Sequence, residues 1–530
     1  MRTAEETIAL TLAALNDPQT DLHPVLAEAY AACDGLSFHD ASDWVLWLNT
    51  LALSAPAPPP SAASAKLLEL LIERLHQAML GPTGFDDFPA SIDIEAWLGW
   101  YRALDPQLRI RGRLLVMLAR GADAARLKAI GRSLAESPLP AETESDLLFA
   151  TLMQSRSPQL VVLFPALLDV AASPAFAAGV LDLANFVVRA GLATTHPAHD
   201  RMPRLTELLG RLVVELERIE QNPAQDATLA QQHATILATV PLAVALCDAI
   251  ALDKHQSGLP KLVDAMQLGH RRLRCEAAWA LAQFGDERGV QELQRLAAEP
   301  VARRRVLTYL DELGAGDQVD PRYRTDAALA EADLALWLSE PSRMGLAPTD
   351  IEVVDSRWLA WPGYDEPVHC HLLRFTYDLG QGRYINTGFA GPEAQAVTAD
   401  LTGLSEVECY ALFAGLQADH EEIQEFEIRS LSDAYAPEIA RLERRMRDAD
   451  LELIEPERFG LFFGERVLAA RAARRGATGI AVADSVELIW NSVEGRRPLG
   501  MTECMAIYRG RKLLGAFNDD FAADEEWSES

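Results

Sequence analysis

The segment His369-Cys370-His371 combines three side chains that can bind a metal ion. If it forms a β-strand, His369 and His371 point to one face and Cys370 to the other. His420, which follows a predicted helix, could supply a third ligand. Imidazole ligands of this kind suit zinc or iron. This interpretation describes a metal-dependent enzyme whose site lies in the C-terminal part of the chain.

The alternative is a pair of partly exposed strand histidines with ordinary hydrogen bonds. A single His-x-His is a weak motif, and it gains meaning only from its structural context. Nothing in the sequence fixes His420 near the strand. We therefore expect no cofactor and favour a protein that is not an enzyme.

The sequence contains none of the common local catalytic motifs. Gly-x-Ser-x-Gly, Walker A, His-Glu-x-x-His and Gly-x-Gly-x-x-Gly are all missing. The six cysteines are widely spaced and form no Cys-x-x-Cys, which is typical of reduced thiols in the cytoplasm. Any catalytic residues are therefore dispersed, and the sequence leaves them unassigned.

Residues 1–320 have the apolar spacing of successive helices. Leucines recur every three or four residues, as at Leu205, Leu208, Leu209 and Leu212. Short clusters rich in Pro, Gly, Ser or Asp separate the apolar stretches. We predict that 1–320 is an α-helical repeat domain with no β-sheet.

The clearest internal repeat lies between residues 274 and 314. Two copies, 29 residues apart, share an Arg, two apolar positions and a Gly at offsets 0, 3, 7 and 11. The apolar offsets put two side chains on one helix face, and the Gly suits the left-handed residue that ends a helix. The first copy is Arg274, Ala277, Leu281 and Gly285, and the second is Arg303, Val306, Leu310 and Gly314.

The segment Arg274–Leu296, with its Gly285-Asp286 turn, resembles the short HEAT repeats of the phycobilisome-lyase type. This resemblance covers 261–314 well and 100–260 less well. It implies a solenoid of paired helices whose extended surface binds another macromolecule, but it implies no particular chemistry.

The remainder of the chain is predicted to be an α+β domain with a mostly antiparallel sheet. A linking helix is predicted within 321–345 and the domain itself at 346–517, followed by an acidic tail at 518–530. Strands are expected at 351–360, 368–377 and 384–390, then helices at 405–418, 433–450 and 465–475. The apolar runs 480–490, 501–508 and 513–517 are expected as final strands.

Part of this domain resembles the C-terminal part of uncharacterised bacterial HEAT-repeat proteins. The resemblance rests on Arg374–Tyr377, Tyr384–Pro392, Phe413–Gly415 and His420–Ile423. That group has no established activity, so the resemblance implies no catalytic residues.

The formal net charge is −30, with a pI near 4.8. Both parts of the chain are acidic, which disfavours nucleic acid as a partner and attracts a basic one. A cluster of basic residues between Arg109 and Arg132 is the exception, and we interpret it as ordinary helix-surface charge. The acidic N-terminus and the lack of a long uncharged apolar stretch predict a cytoplasmic protein without a membrane span.

These observations favour a non-catalytic interaction or scaffold protein that binds a protein partner through its helical-repeat surface. A bacterial immunity or adaptor protein that masks a basic toxin is one specific form of this hypothesis. The metal-dependent enzyme with His369, His371 and His420 is the alternative.

Overall fold

The computed structural model describes residues 72–73, 93–104, 109–140, 145–170, 173–222, 227–378, 380, 382–417, 422–431, 433–495 and 497–518. The chain divides into two compact units, Met1–Glu292 and Leu293–Ser530. The first unit is helical wherever it is described. The second begins with helices and continues into two β-sheets.

From residue 93 to the first strand, the described chain forms helices joined by short turns, as the sequence predicted. A 3₁₀ turn, Pro158–Leu163, precedes the shortest of them. The helices are α1 (Ile94–Ala103), α2 (Ile110–Ala119), α3 (Ala124–Glu136), α4 (Ser145–Ser155), α5 (Phe164–Leu167), α6 (Pro174–Arg189), α7 (Met202–Gln221), α8 (Ala227–Leu252), α9 (Leu259–Met266), α10 (Arg271–Gln283), α11 (Glu287–Leu296), α12 (Pro300–Glu312) and α13 (Asp326–Ser339).

Helix α8 is the most apolar of these helices. Its segment Gln231–Leu252 is long and apolar enough to cross a membrane by length and composition, and 61% of the apolar window is buried within the protein. Its Asp248 forms a 2.7 Å ion pair with Arg189 of α6, and its Ala245 carbonyl accepts a hydrogen bond from Asn185. These contacts make α8 a core helix of the first unit.

Two antiparallel sheets follow, together with three helices. The first sheet has the order β1-β2-β3-β4 and the second β5-β6-β7-β8-β9. The strands are β1 (Asp350–Leu359), β2 (Val368–Asp378), β3 (Arg383–Ala390), β4 (Gln395–Ala396), β5 (Ile423–Glu427), β6 (Glu452–Phe462), β7 (Glu465–Arg474), β8 (Ala477–Ala483) and β9 (Leu488–Ser492). The helices are α14 (Glu406–Gln417), α15 (Ala436–Asp448) and α16 (Met501–Phe517).

The elements of the second unit form five layers. Helix α13 packs on one face of the first sheet, through Leu334 against Phe375. Helices α14 and α16 lie between the two sheets, where they bury Cys370 of β2 and Val467 of β7. Helix α15 covers the outer face of the second sheet. Both sheets are therefore covered on both faces, which explains why the middle of β2, Cys370–Leu373, and the middle of β7, Val467–Ala470, are buried at every position.

The prediction of a helical domain followed by an antiparallel α+β domain is confirmed. The strands expected at 351–360, 368–377 and 384–390 correspond to β1, β2 and β3, and the linking helix corresponds to α13. The capping box of α14 is also present: Ser405 N–H donates to Glu408 Oε2 at 3.0 Å, and Glu408 N–H donates to Ser405 Oγ at 3.3 Å. The domain boundary at 320 stays a prediction.

Two local predictions were wrong. The helix expected at 465–475 is strand β7, and the strands expected at 501–508 and 513–517 are one helix, α16. Alanine and arginine suit helices, but β7 pairs with β6 and β8 through two tight turns. Phe463-Gly464 and Arg475-Gly476 adopt positive φ angles at these turns, as two-residue hairpins require.

Candidate functional sites

The two histidines of the predicted metal site lie side by side on one face of β2. Their ring centroids are 4.2 Å apart. Across the strand pair, Trp358 of β1 stacks on His369 at 4.7 Å, and the Trp358 side chain is 66% exposed. The alternation of the strand therefore brings both imidazoles to the face that carries α13.

Each imidazole already has a polar partner. His369 Nδ1 lies 3.0 Å from Asp326 Oδ2 at the start of α13, and His371 Nδ1 lies 2.7 Å from Ser356 Oγ. Burial, and then the neighbouring His369, lowers the pKa of His371. A metal ion could therefore use only the Nε2 atom of each ring without breaking these hydrogen bonds.

The third predicted ligand, His420, lies outside the described residues. Within the part of the chain that the structure describes, no group of three His, Cys, Asp or Glu side chains could hold a metal ion. Cys370 is buried on the opposite face of β2, and burial raises the pKa of its thiol to about 12. Such a thiol stays protonated and is a poor nucleophile.

The arginine of each repeat copy is used inside the protein. Arg274 forms a 2.6 Å ion pair with Glu292 of α11. The Arg303 side chain is 4% exposed; its Nε donates to the Ala297 carbonyl at 3.0 Å, and its Nη1 pairs with Glu331 of α13 at 2.9 Å. Both arginines join their own helix to neighbouring segments, which is a structural role.

The glycine of each copy ends a helix in the left-handed conformation. Gly285 has φ +80° and Gly314 has φ +67°. The backbone N–H after each glycine donates to a carbonyl in the last turn of the helix. Asp286 N–H donates to the Leu281 carbonyl at 3.2 Å, and Ala315 N–H donates to the Leu310 carbonyl at 2.8 Å. This is the Schellman pattern, in which a residue with a side chain would be strained. The four apolar repeat residues, Ala277, Leu281, Val306 and Leu310, are each 0% exposed.

Two members of the basic cluster between Arg109 and Arg132 lie inside the protein, so the interpretation as helix-surface charge is wrong for them. Arg111 is fully buried, and its Nε donates to the Tyr101 carbonyl at 2.9 Å, while its Nη2 donates to Ser137 Oγ at 2.7 Å. Arg126 is also buried. A basic run in the sequence can therefore contain arginines that hold helices together.

Residues 240–310 match the family of HEAT repeats. The matched part runs from the second half of α8 to the last turns of α12, and it includes the repeat copies described above. This segment of the chain is therefore a HEAT-repeat segment. No curated protein and no solved structure is similar enough to the chain to count as a match.

The HEAT-repeat segment differs in charge from the chain as a whole. It contains eight acidic and ten basic residues, a net charge of +2, whereas the chain carries −30. Helix α10 is buried along most of its length. The residues that the segment exposes in the first unit lie on α9, on the turns before and after it, at the start of α10, and on α11 with the turn before it: Lys254, Gln256, Ser257, Pro260, Asp264, Gln267, Gly269, Arg271, Arg272, Gly285, Glu287, Arg288 and Gln291.

Proposed function

We propose that the protein is a non-catalytic scaffold that binds a protein partner through its HEAT-repeat segment. The observation that supports this most is the match of 240–310 to HEAT repeats, a class that generally mediates protein interactions. The exposed side of α9 and α11 is our candidate for the binding surface.

The charge distribution refines the partner that we propose. The acidity that attracts a basic partner lies outside 240–310, since this segment has a net charge of +2. A basic partner would therefore use acidic residues elsewhere on the chain for long-range attraction, and the polar surface of α9 and α11 for specific contact. A bacterial adaptor or immunity protein of the cytoplasm is the specific form of this proposal.

A pull-down from the native cells tests the proposal. The bait is the full chain, compared with a Gln267→Arg/Gln291→Arg variant that alters two exposed residues of the candidate surface. A Gln424→Arg variant on β5 makes the same chemical change in the other unit. We expect a discrete partner that the double variant loses and the control retains. Equal recovery by all three baits would contradict this surface.

The metal-dependent enzyme is a second candidate because His369 and His371 lie in contact on one face. We expect no stoichiometric metal after purification without chelators, since both Nδ1 atoms are engaged and two imidazoles alone hold a metal weakly. Metal analysis of the wild type and of His369→Ala and His371→Ala checks this. One zinc or iron per chain, lost in both variants, would make the enzyme the leading function.

A further inference from the structure

The second unit contains a surface cavity of about 490 Å³ between the C-terminal half of α15 and the turn that joins β8 to β9. This volume lies within the usual range for small-molecule sites, which is ~300–1,000 Å³. Its lining includes Arg441, Arg444 and Arg445 from the helix and Ser485 from the turn.

Helical spacing concentrates these arginines. Positions 441, 444 and 445 are three and four residues apart, so they share one side of α15. Leu442 and Met446 are buried on the side that faces the sheet. Leu442 also lines the cavity, together with Leu488 of β9, so the lining has apolar as well as basic parts.

Two of the three arginines have no carboxylate partner within the described residues. Arg441 and Arg444 are exposed and form no ion pair there. Other basic residues near them are paired: Arg447 with Glu443 at 2.8 Å, and Arg466 with Glu438 at 3.6 Å. The cavity therefore keeps uncompensated positive charge, reduced by the one carboxylate of its lining, Asp448.

Arg445 connects the two sides of the cavity. Its Nη2 donates to the carbonyl of Val486 at 2.5 Å, so this hydrogen bond joins the helix to the turn. Its Nε–H is buried and has no hydrogen-bond partner among the described residues. This contact fixes Arg445 between the helix and the turn, so the two arginines that stay exposed beside the cavity are Arg441 and Arg444.

The C-terminal end of a helix ordinarily disfavours an anion because its free carbonyl groups carry partial negative charge. Here three of the last four carbonyls accept backbone hydrogen bonds. Ala449 N–H donates to the Arg445 carbonyl at 3.2 Å, Asp450 N–H to the Arg447 carbonyl at 3.1 Å, and Leu451 N–H to the Met446 carbonyl at 3.1 Å. The charged groups of the lining are then three guanidinium groups and one carboxylate. At physiological salt the distant acids are screened beyond ~8 Å.

We propose that this cavity binds a small organic oxyanion, whose charged group contacts Arg441 and Arg444 and whose apolar part rests on Leu442 and Leu488. Guanidinium groups bind phosphate and carboxylate oxygens through paired, charge-assisted hydrogen bonds. Phosphate esters and carboxylates share this chemistry. The proposal is independent of the HEAT-repeat segment.

Calorimetric titration of the full chain with phenyl phosphate, benzoate and phenol tests the proposal. We expect phenyl phosphate to bind and phenol not to bind. Arg441→Gln and Arg444→Gln should each weaken binding by about tenfold, the size of one charge-assisted hydrogen bond. Arg447→Gln, which removes a charge from the same helix outside the cavity lining, should change the affinity less than about twofold.

The two anions distinguish the source of the charged group. Binding of phenyl phosphate alone supports phosphate esters, and equal binding of benzoate supports carboxylates. If neither anion gives a binding signal at ~10 mM, the Kd is far weaker than that of a typical metabolite site. That result would overturn the proposal. An equal loss of affinity in Arg447→Gln would also overturn it, because the attraction would then be non-specific.

Discussion

His196 is a buried histidine that the helical unit keeps neutral. Ala198 N–H donates to its Nδ1 at 3.1 Å, so its proton lies on Nε2 and is donated to Asn185 Oδ1 at 3.0 Å. Asn185 in turn donates to the Ala245 carbonyl of α8 at 3.0 Å. Burial lowers the pKa of His196 to about 4. The network links α6, the loop after it and α8 through one tautomer.

This pKa predicts how stability depends on pH. Between its ordinary pKa near ~6.5 and about 4, the unfolded imidazole binds a proton that the folded one does not. Protons therefore favour unfolding in this range, and the contribution of His196, present above ~6.5, should fall by about 3 kcal/mol as the pH reaches 4.

Urea unfolding of the wild type and of His196→Gln at pH 7 and pH 4.5 measures the effect. We expect the variant to be less stable at pH 7 and to lose less free energy of unfolding on acidification. An identical loss in both proteins would mean that His196 does not carry this dependence.

At the same scale, the sequence predicted only part of the candidate metal site. The alternation of β2 was enough to place His369 and His371 on one face. Their partners Asp326 and Ser356 come from α13 and β1, and no local pattern could indicate these contacts. The sequence predicted a helix at 433–450 but not the role of its arginines, because the cavity that they line is also formed by the distant β8–β9 turn.

At the scale of elements, α14 and α16 cross at very small residues. A Cβ atom on Gly415 would overlap the carbonyl oxygen of Ala506, and one on Gly510 would overlap the carbonyl oxygen of Ala411. The two helix backbones are therefore almost in contact, which only glycine permits.

Gly415→Ala and Gly510→Ala should each destabilise the protein by ~1–3 kcal/mol or more, because the helices must move apart inside a packed layer. Gly515→Ala, on the same helix α16 with no atom within 4 Å of the added carbon, should be neutral or stabilising by up to ~1 kcal/mol. Thermal unfolding compares the three variants. Equal effects at all three positions would refute the close crossing.

The two mispredicted elements show where local reasoning fails. Strand β7 consists largely of alanine and arginine, yet Ala469, Ala470 and Ala472 are fully buried between layers of helices. Small side chains are needed there because both faces of the strand are covered. Tertiary packing overrides helix propensity at such a position. Gly464 and Gly476 of the flanking turns are the local signal that the prediction did not use.

At the scale of the whole molecule, the second unit uses one order of elements twice. Helix, four antiparallel strands and helix occur as α13 to α14 and again as α15 to α16, with β5 added to the second sheet. Gly415 of α14 contacts Ala506 of α16, and Gly510 of α16 contacts Ala411 of α14 in the same way. Such reciprocal contacts are expected when two equivalent helices are related by a two-fold axis. The sequence did not predict this repetition, because the second copy was interpreted as two helices followed by short strands.

The central claim is that the HEAT-repeat segment contacts a protein partner. Site-specific photo-crosslinking in the native cells tests it most directly, with the crosslinker at Gln291 of α11 and, as a control, at Gln424 of β5, both of which are exposed. We predict a discrete protein adduct from position 291 and none of the same mass from position 424. No adduct at 291, or the same adduct at both positions, would contradict the claim.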